Sequence, residues 1–284
     1  MKKWIISALA YLTIVVLAYI AYDSFANLEG KQAHSEEHKA ADSKTEDHDT
    51  HGELKSEKSN ELHKHESEVS SDNEINVDVQ ESNKDIIITL EDLAGHSVDD
   101  LEINHEKLLH LIVVDEHLDQ YYHLHPEEIT SGQFTVKSPL KEGNYKAFVD
   151  INSKSLSYEV KPVPFKVGKP STNEHNHASL EIDKKLEKII NENKVTLTTT
   201  DLVVGEPVTL TFDVHGAELE PYLGAMGHVV ILDEKAEEYL HVHPPNVNEP
   251  VFQTEFSHAG IYKLWAEFQV NGRVTAYPFV VEVK

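Results

Sequence analysis

Apolar and polar positions divide this 284-residue chain into regimes that differ in kind. From Trp4 to Tyr22 the run WIISALAYLTIVVLAYIAY carries no charge, and Lys2 and Lys3 precede it. At about 1.5 Å per residue its helix would span roughly the 30 Å core of a bilayer. It is longer than the apolar core of an ordinary signal peptide, and the lysines favour the cytoplasmic side. Residues 1–29 therefore read as a single-pass transmembrane anchor, or as a secretion signal if cleaved near Ser24-Phe25-Ala26. Either reading puts the remainder outside the cytoplasm.

Residues 30–72 contain hardly an aliphatic residue and no aromatic one. Such a stretch cannot bury enough apolar surface to offset its ordering entropy, which predicts a disordered stalk. After residue 72 the texture changes to short alternating runs: INVDVQ (75–80), DIIITLED (85–92), LLHLIVV (108–114), YYHLH (121–125), QFTVK (133–137), NYKAFVDI (144–151) and YEVKPVPFKV (158–167). A second series follows: KVTLTTT (194–200), PVTLTFDV (207–214), GHVVILD (227–233), EYLHVH (238–243), VFQTEF (251–256), GIYKLWAEFQV (260–270) and RVTAYPFVVEV (273–283). Short strands at this spacing predict an all-β fold of two tandem immunoglobulin-like (cupredoxin/CopC-like) β-sandwich domains, at residues 73–168 and 193–284.

The two series are copies of each other. His110 aligns with His228, His123 with His241, His125 with His243 and Pro126 with Pro244, each 118 residues apart. Gly143 and Tyr145 align with Gly260 and Tyr262 at 117. Between the copies, residues 169–192 start as a polar linker and then show Leu180, Ile182, Leu186, Ile189 and Ile190 at roughly helical spacing, which predicts a short amphipathic helix.

Composition narrows the function. The chain has no cysteine, so packing rather than disulfides must hold the domains. The net charge of -25 and a single arginine, Arg273, exclude nucleic acid as an expected partner, because that affinity rests on cations neutralising phosphates. There is no G-x-S-x-G, phosphate loop or other nucleophile arrangement, and a non-enzymatic role is expected.

Histidine carries the remaining chemistry. Residues i and i+2 of a strand share a face, so His123 projects with His125 and His241 with His243. The proline after each pair cannot donate to a ladder, which predicts a strand end near solvent. An antiparallel hairpin that sets His110 opposite His125 and Val114 opposite Tyr121 would gather three imidazoles on one patch, whereas a slip of one residue would separate them. Three convergent nitrogens and a fourth group suit Zn(II) or Cu(II). The candidate fourth ligand is His105 in the first copy and Met226 in the second, the thioether favouring copper, including Cu(I). A half-buried, hydrogen-bonded histidine kept for structure would give the same H-x-H. In the stalk, His34, His38, His48, His51, His63 and His65 lie among carboxylates and are secondary, weak metal-capture candidates. The aromatic residues Tyr145, Phe148, Tyr262, Trp265 and Phe268 are expected in the sandwich cores.

At HEKLLHLIVVDEHLDQYYHLHPE and GAMGHVVILDEKAEEYLHVHP, each followed by a G-x-Y strand, the chain resembles bacterial YtkA-like or FixH-like β-sandwich proteins, secreted or membrane-anchored. That resemblance implies copper or heavy-metal handling outside the cytoplasm through His110, His123, His125, Met226, His228, His241 and His243. The expectation is a membrane-anchored extracytoplasmic protein that buffers or delivers copper or zinc, with a metal transporter or another envelope protein as partner. The competing expectation is a metal-independent immunoglobulin-like interaction module of the cell envelope.

Overall fold

The computed structural model describes residues 73–169 and 180–284, and every regular element within them is a β-strand. The first copy contains β1 (Ile75–Ser82), β2 (Asp85–Asp92), β3 (Leu101–Glu102), β4 (Leu109–Asp115), β5 (Tyr121–Leu124), β6 (Glu127–Thr130), β7 (Gln133–Lys137), β8 (Gly143–Ser153) and β9 (Val163–Val167). One sheet runs β1-β2-β7-β6; in the other, β4 lies between β5 and β8, and β3 and β9 also pair with β8. The second copy contains β10 (Glu187–Ile190), β11 (Asn193–Thr199), β12 (Val208–His215), β13 (His228–Asp233), β14 (Tyr239–Val242), β15 (Val251–Thr254), β16 (Gly260–Val270) and β17 (Arg273–Val283). Its sheets run β10-β11-β12-β15 and β14-β13-β16-β17.

Period-two alternation builds each sandwich core. In the first, Ile86, Ile88 and Leu90 of β2 pack with Leu109, Leu111 and Val113 of β4. In the second, Leu210 and Phe212 pack with Val229, Ile231 and Leu264. The G-x-Y tyrosines belong to these cores, and each hydroxyl donates to a carbonyl four residues upstream: Tyr145 to Lys141 and Tyr262 to His258, both at 3.0 Å.

A third core joins the copies. Ile112, Val114 and Phe148 point away from the first sandwich and pack with Val230, Leu232 and Trp265, which point away from the second. The outer faces of the β4–β8 and β13–β16 pairs are therefore apposed. Aromatic stacking across this joint is reciprocal: Tyr121 lies on Trp265 at 4.7 Å and Tyr239 on Phe148 at 5.1 Å. Phe148 and Trp265 thus leave the sandwich cores where they were expected and form the joint instead.

The helix expected within 169–192 is not formed over the described part, 180–192. Residues Glu187–Ile190 form β10, antiparallel to β11, closed by a turn in which Asn191 and Glu192 take left-handed φ of 50° and 68°. Leu186 and Ile190 pack on the second core while Ile189 stays exposed. Pairing with the free edge of β11 supplies backbone hydrogen bonds that a helix this short could not match. Strands β3 and β6 were not anticipated either. The anchor of residues 1–29, the stalk of 30–72 with its six histidines, and His175 with His177 lie outside the described residues.

Candidate metal centre

The hairpins adopt the register that gathers the imidazoles. Ile112 pairs with His123 and Val114 with Tyr121 in one, Val230 with His241 in the other. Continued one step beyond the paired residues, that register faces His110 with His125 and His228 with His243, whose ring centres lie 5.1 Å apart in each hairpin. The neighbouring strands add an acid to the same face: Asp150 of β8 pairs with His110, and Glu267 of β16 pairs with His228. Gly227 permits the close approach of β13 to β16, since a Cβ there would stand 2.6 Å from the Phe268 ring.

Because both outer faces turn inward at the joint, the two histidine sets share one buried space. Expectation had put the pairs near solvent, yet the side chains of His123 and His241 are only 1% and 3% exposed, and His110 and His228 are fully buried. The covering layer is the other copy. His110 lies 5.3 Å from His241 between ring centres, and His123 lies 6.2 Å from His228.

The acids cross the joint. His123 Nδ1 contacts Glu267 Oε2 at 2.6 Å, and His241 Nδ1 contacts Asp150 Oδ2 at 2.7 Å, so each copy anchors the other's histidine. The Tyr239 hydroxyl donates to the same Asp150 oxygen at 3.1 Å. Burial pushes the Asp150 carboxyl up, but the hydrogen bond from His241 and nearby imidazoles outweigh it, leaving the group below the usual carboxylate range. Imidazoles whose Nδ1 is held by a carboxylate present Nε2 in a fixed direction, which is how metal-ligating histidines are commonly oriented.

Two groups of ring nitrogens lie within 4.8 Å of one another: His110, His123 and His125, and then His105, His228 and His243. In the first, His110 Nε2 donates to the Asn104 carbonyl at 2.9 Å, which leaves Nδ1 turned to His123 Nε2 at 3.0 Å. The second differs from expectation. His105 was assigned to the first copy's site, but it reaches across to the second, stacked on His243 at 3.4 Å. It can do so because Asn104 and Lys107 close a tight turn whose tip residues, His105 and Glu106, take φ of 46° and 67°. The corresponding turn of the second copy, Tyr222 to Ala225, carries Leu223 and Gly224 at its tip. Met226 is half-buried, with its amide donating to the Val247 carbonyl. The third nitrogen brought to His228 and His243 is that of His105.

Burial holds these imidazoles neutral. Desolvation, reinforced by neighbouring imidazoles, pushes His125 down to about 3 and His243 to about 2. His110 is pushed down to about 4, chiefly by desolvation and partly opposed by its bond to Asn104. His228 and His105 are lowered for the same first reason. Among the described residues, His125 Nε2, both nitrogens of His228, His241 Nε2 and His243 Nε2 are buried without a hydrogen-bond partner. An all-imidazole donor set with neutral rings fits Zn(II) or copper.

Asp150 and Glu267 escaped the sequence reading, although an acid at aligned positions of AFVD and LWAE was there to be seen. Other histidines have separate roles: His96 bonds Asp92 at the surface, and His215 contacts Thr196.

A family model described as "Domain of unknown function (DUF8832)" matches residues 61–170 and 187–284. Among curated proteins no relative matches the chain. Similar solved structures include the Escherichia coli adhesin FdeC, at 16% identity over 77% of this chain and 66% of that one, with a TM-score of 0.23. The Yersinia pseudotuberculosis adhesin InvE is 11% identical over 73% of this chain and 60% of that one, with a TM-score of 0.21. A segment of two fibronectin type III domains from chicken tenascin is 7% identical over 75% of this chain and 99% of that one, with a TM-score of 0.24. The chain thus spans slightly under two-thirds of the FdeC chain.

Proposed function

The chain belongs to the DUF8832 family, and we propose that it is a metal-binding protein of the cell envelope that holds copper or zinc between its two immunoglobulin-like copies. The observation that carries this reading is the set of buried ring nitrogens without partners. An unsatisfied buried polar group costs about 1–3 kcal/mol, and a core of apolar side chains would avoid that cost. A divalent ion that accepts lone pairs from those nitrogens gives them a purpose.

In this reading His110 Nδ1, His123 Nε2 and His125 Nε2 hold one ion, and His105, His228 and His243 hold another. Glu267 and Asp150 orient His123 and His241. The role in this reading is buffering or delivery. The N-terminal run anchors the chain in the membrane, the stalk histidines capture ions weakly, and a transporter or other envelope protein is the expected recipient.

Calorimetric titration of the full chain with Cu(II) and with Zn(II), under competition from a chelator, tests the reading. Tight uptake of one ion per triad is expected, and changing His110, His123 and His125 to Ala should remove one of the two. Weak uptake by the parent protein, or tight uptake surviving loss of all seven joint histidines, would sink it.

A further inference from the structure

A groove of about 1070 Å³ runs along β14 where the two copies meet. Among the described residues its lining includes the acids Asp150, Glu159, Asp233, Glu234, Glu237 and Glu238, with Lys235 as the only cationic residue apart from histidine. His241 and His243 also line it. Each has a buried Nε2 without a hydrogen-bond partner, and the His241 side chain is only 3% exposed. The outer carboxylates are accessible, Glu159, Glu234 and Glu237 being exposed, whereas Asp150 at the inner end already holds His241 Nδ1.

We infer that this groove is the entrance through which hydrated divalent cations reach the buried centre, passing the exposed His258 before the buried nitrogens of His243 and His241. The inference rests on the metal-binding reading. Carboxylates lining a cleft with low-dielectric walls concentrate cations and raise their rate of association. Hard oxygen donors hold copper and zinc less firmly than imidazole does, so an ion gathered at the rim passes inward to nitrogen. Exposed acids and buried imidazole nitrogens thus line the same groove.

Stopped-flow loading of the full chain with Zn(II) and Cu(II) tests the entrance. Glu234 and Glu237 serve only through their backbone amides in the hairpin turn, so E234Q with E237Q should leave the fold unchanged. This pair should slow loading on the order of threefold at low ionic strength, with the difference vanishing in high salt. E127Q with E128Q, on exposed β6, should have no such effect. Ala259→Trp, which narrows the groove, should slow loading and chelator-driven release by the same factor while leaving equilibrium stoichiometry intact. Normal rates in both groove variants would overturn the entrance and leave the centre standing. Reduced stoichiometry in E234Q with E237Q would also overturn it, by making these acids ligands. A parent chain that takes up no ion would remove the centre and the entrance together.

Discussion

His228 is the residue on which structure and stability disagree most. It is fully buried, and neither ring nitrogen has a hydrogen-bond partner. Replacing such a group with an apolar one of similar size removes the desolvation cost without creating a new orphan. His228→Leu is therefore expected to stabilise the metal-free protein by about 1–3 kcal/mol and, under the proposed function, to abolish ion uptake at the triad with His105 and His243. Urea unfolding in excess chelator, beside a stoichiometry measurement, checks both halves. A lower midpoint for the variant would mean that the imidazole contributes to folding in its own right.

The hairpins show what could be read from the chain at the level of elements. Their register was left open by the sequence between a pairing that gathers the three rings and a one-residue slip that separates them, and the structure takes the first. What covers that face was not read, yet LLHLIVV and HVVIL carried the signal. A strand with one wet face alternates, whereas LIVV after His110 and VVIL after His228 are apolar without a break, as in strands buried on both sides. The segment 180–190 failed for the opposite reason: its apolar spacing suits a helix, but an unpaired strand edge next to it decided the outcome. Nor does spacing tell which copy His105 serves, since a turn tip can lean either way. The turn itself yields a prediction. Asn tolerates the left-handed conformation that His105 occupies. His105→Asn should keep the thermal midpoint of the chelated protein and weaken only the second triad, leaving it two imidazoles. An equal loss at both triads in competitive titration would contradict the crossing.

For the whole molecule, the joint concentrates groups that resist protonation. His110, His125 and His243 titrate at about 4, 3 and 2, burial being the main cause in each, against about 6.5 for free imidazole. Below pH 6.5 the unfolded chain therefore binds protons that the folded one refuses, so stability is full above that value and falls as pH drops, the His110 contribution being lost by about 4 and those of His125 and His243 by about 3 and 2. Asp150, held below the carboxylate range, adds its own loss only at lower pH. Trp265 sits in the joint, stacked on Tyr121, and its fluorescence should follow the parting of the copies. Denaturant midpoints of the chelated protein that stay level from pH 7 to 4 would refute this linkage.

The two tight turns at the joint have one further consequence. Two identical chains paired about a dyad must carry every substitution on both sides of it. Here the same arrangement is drawn in a single polypeptide, and the dyad is broken at several paired positions: Asp150 answers Glu267, Phe148 answers Trp265, and at the turn tips His105 stands against Leu223. Joining the copies thus frees each half to specialise, so that under the proposed metal-binding function the two triads, built from the same plan, are able to differ in strength.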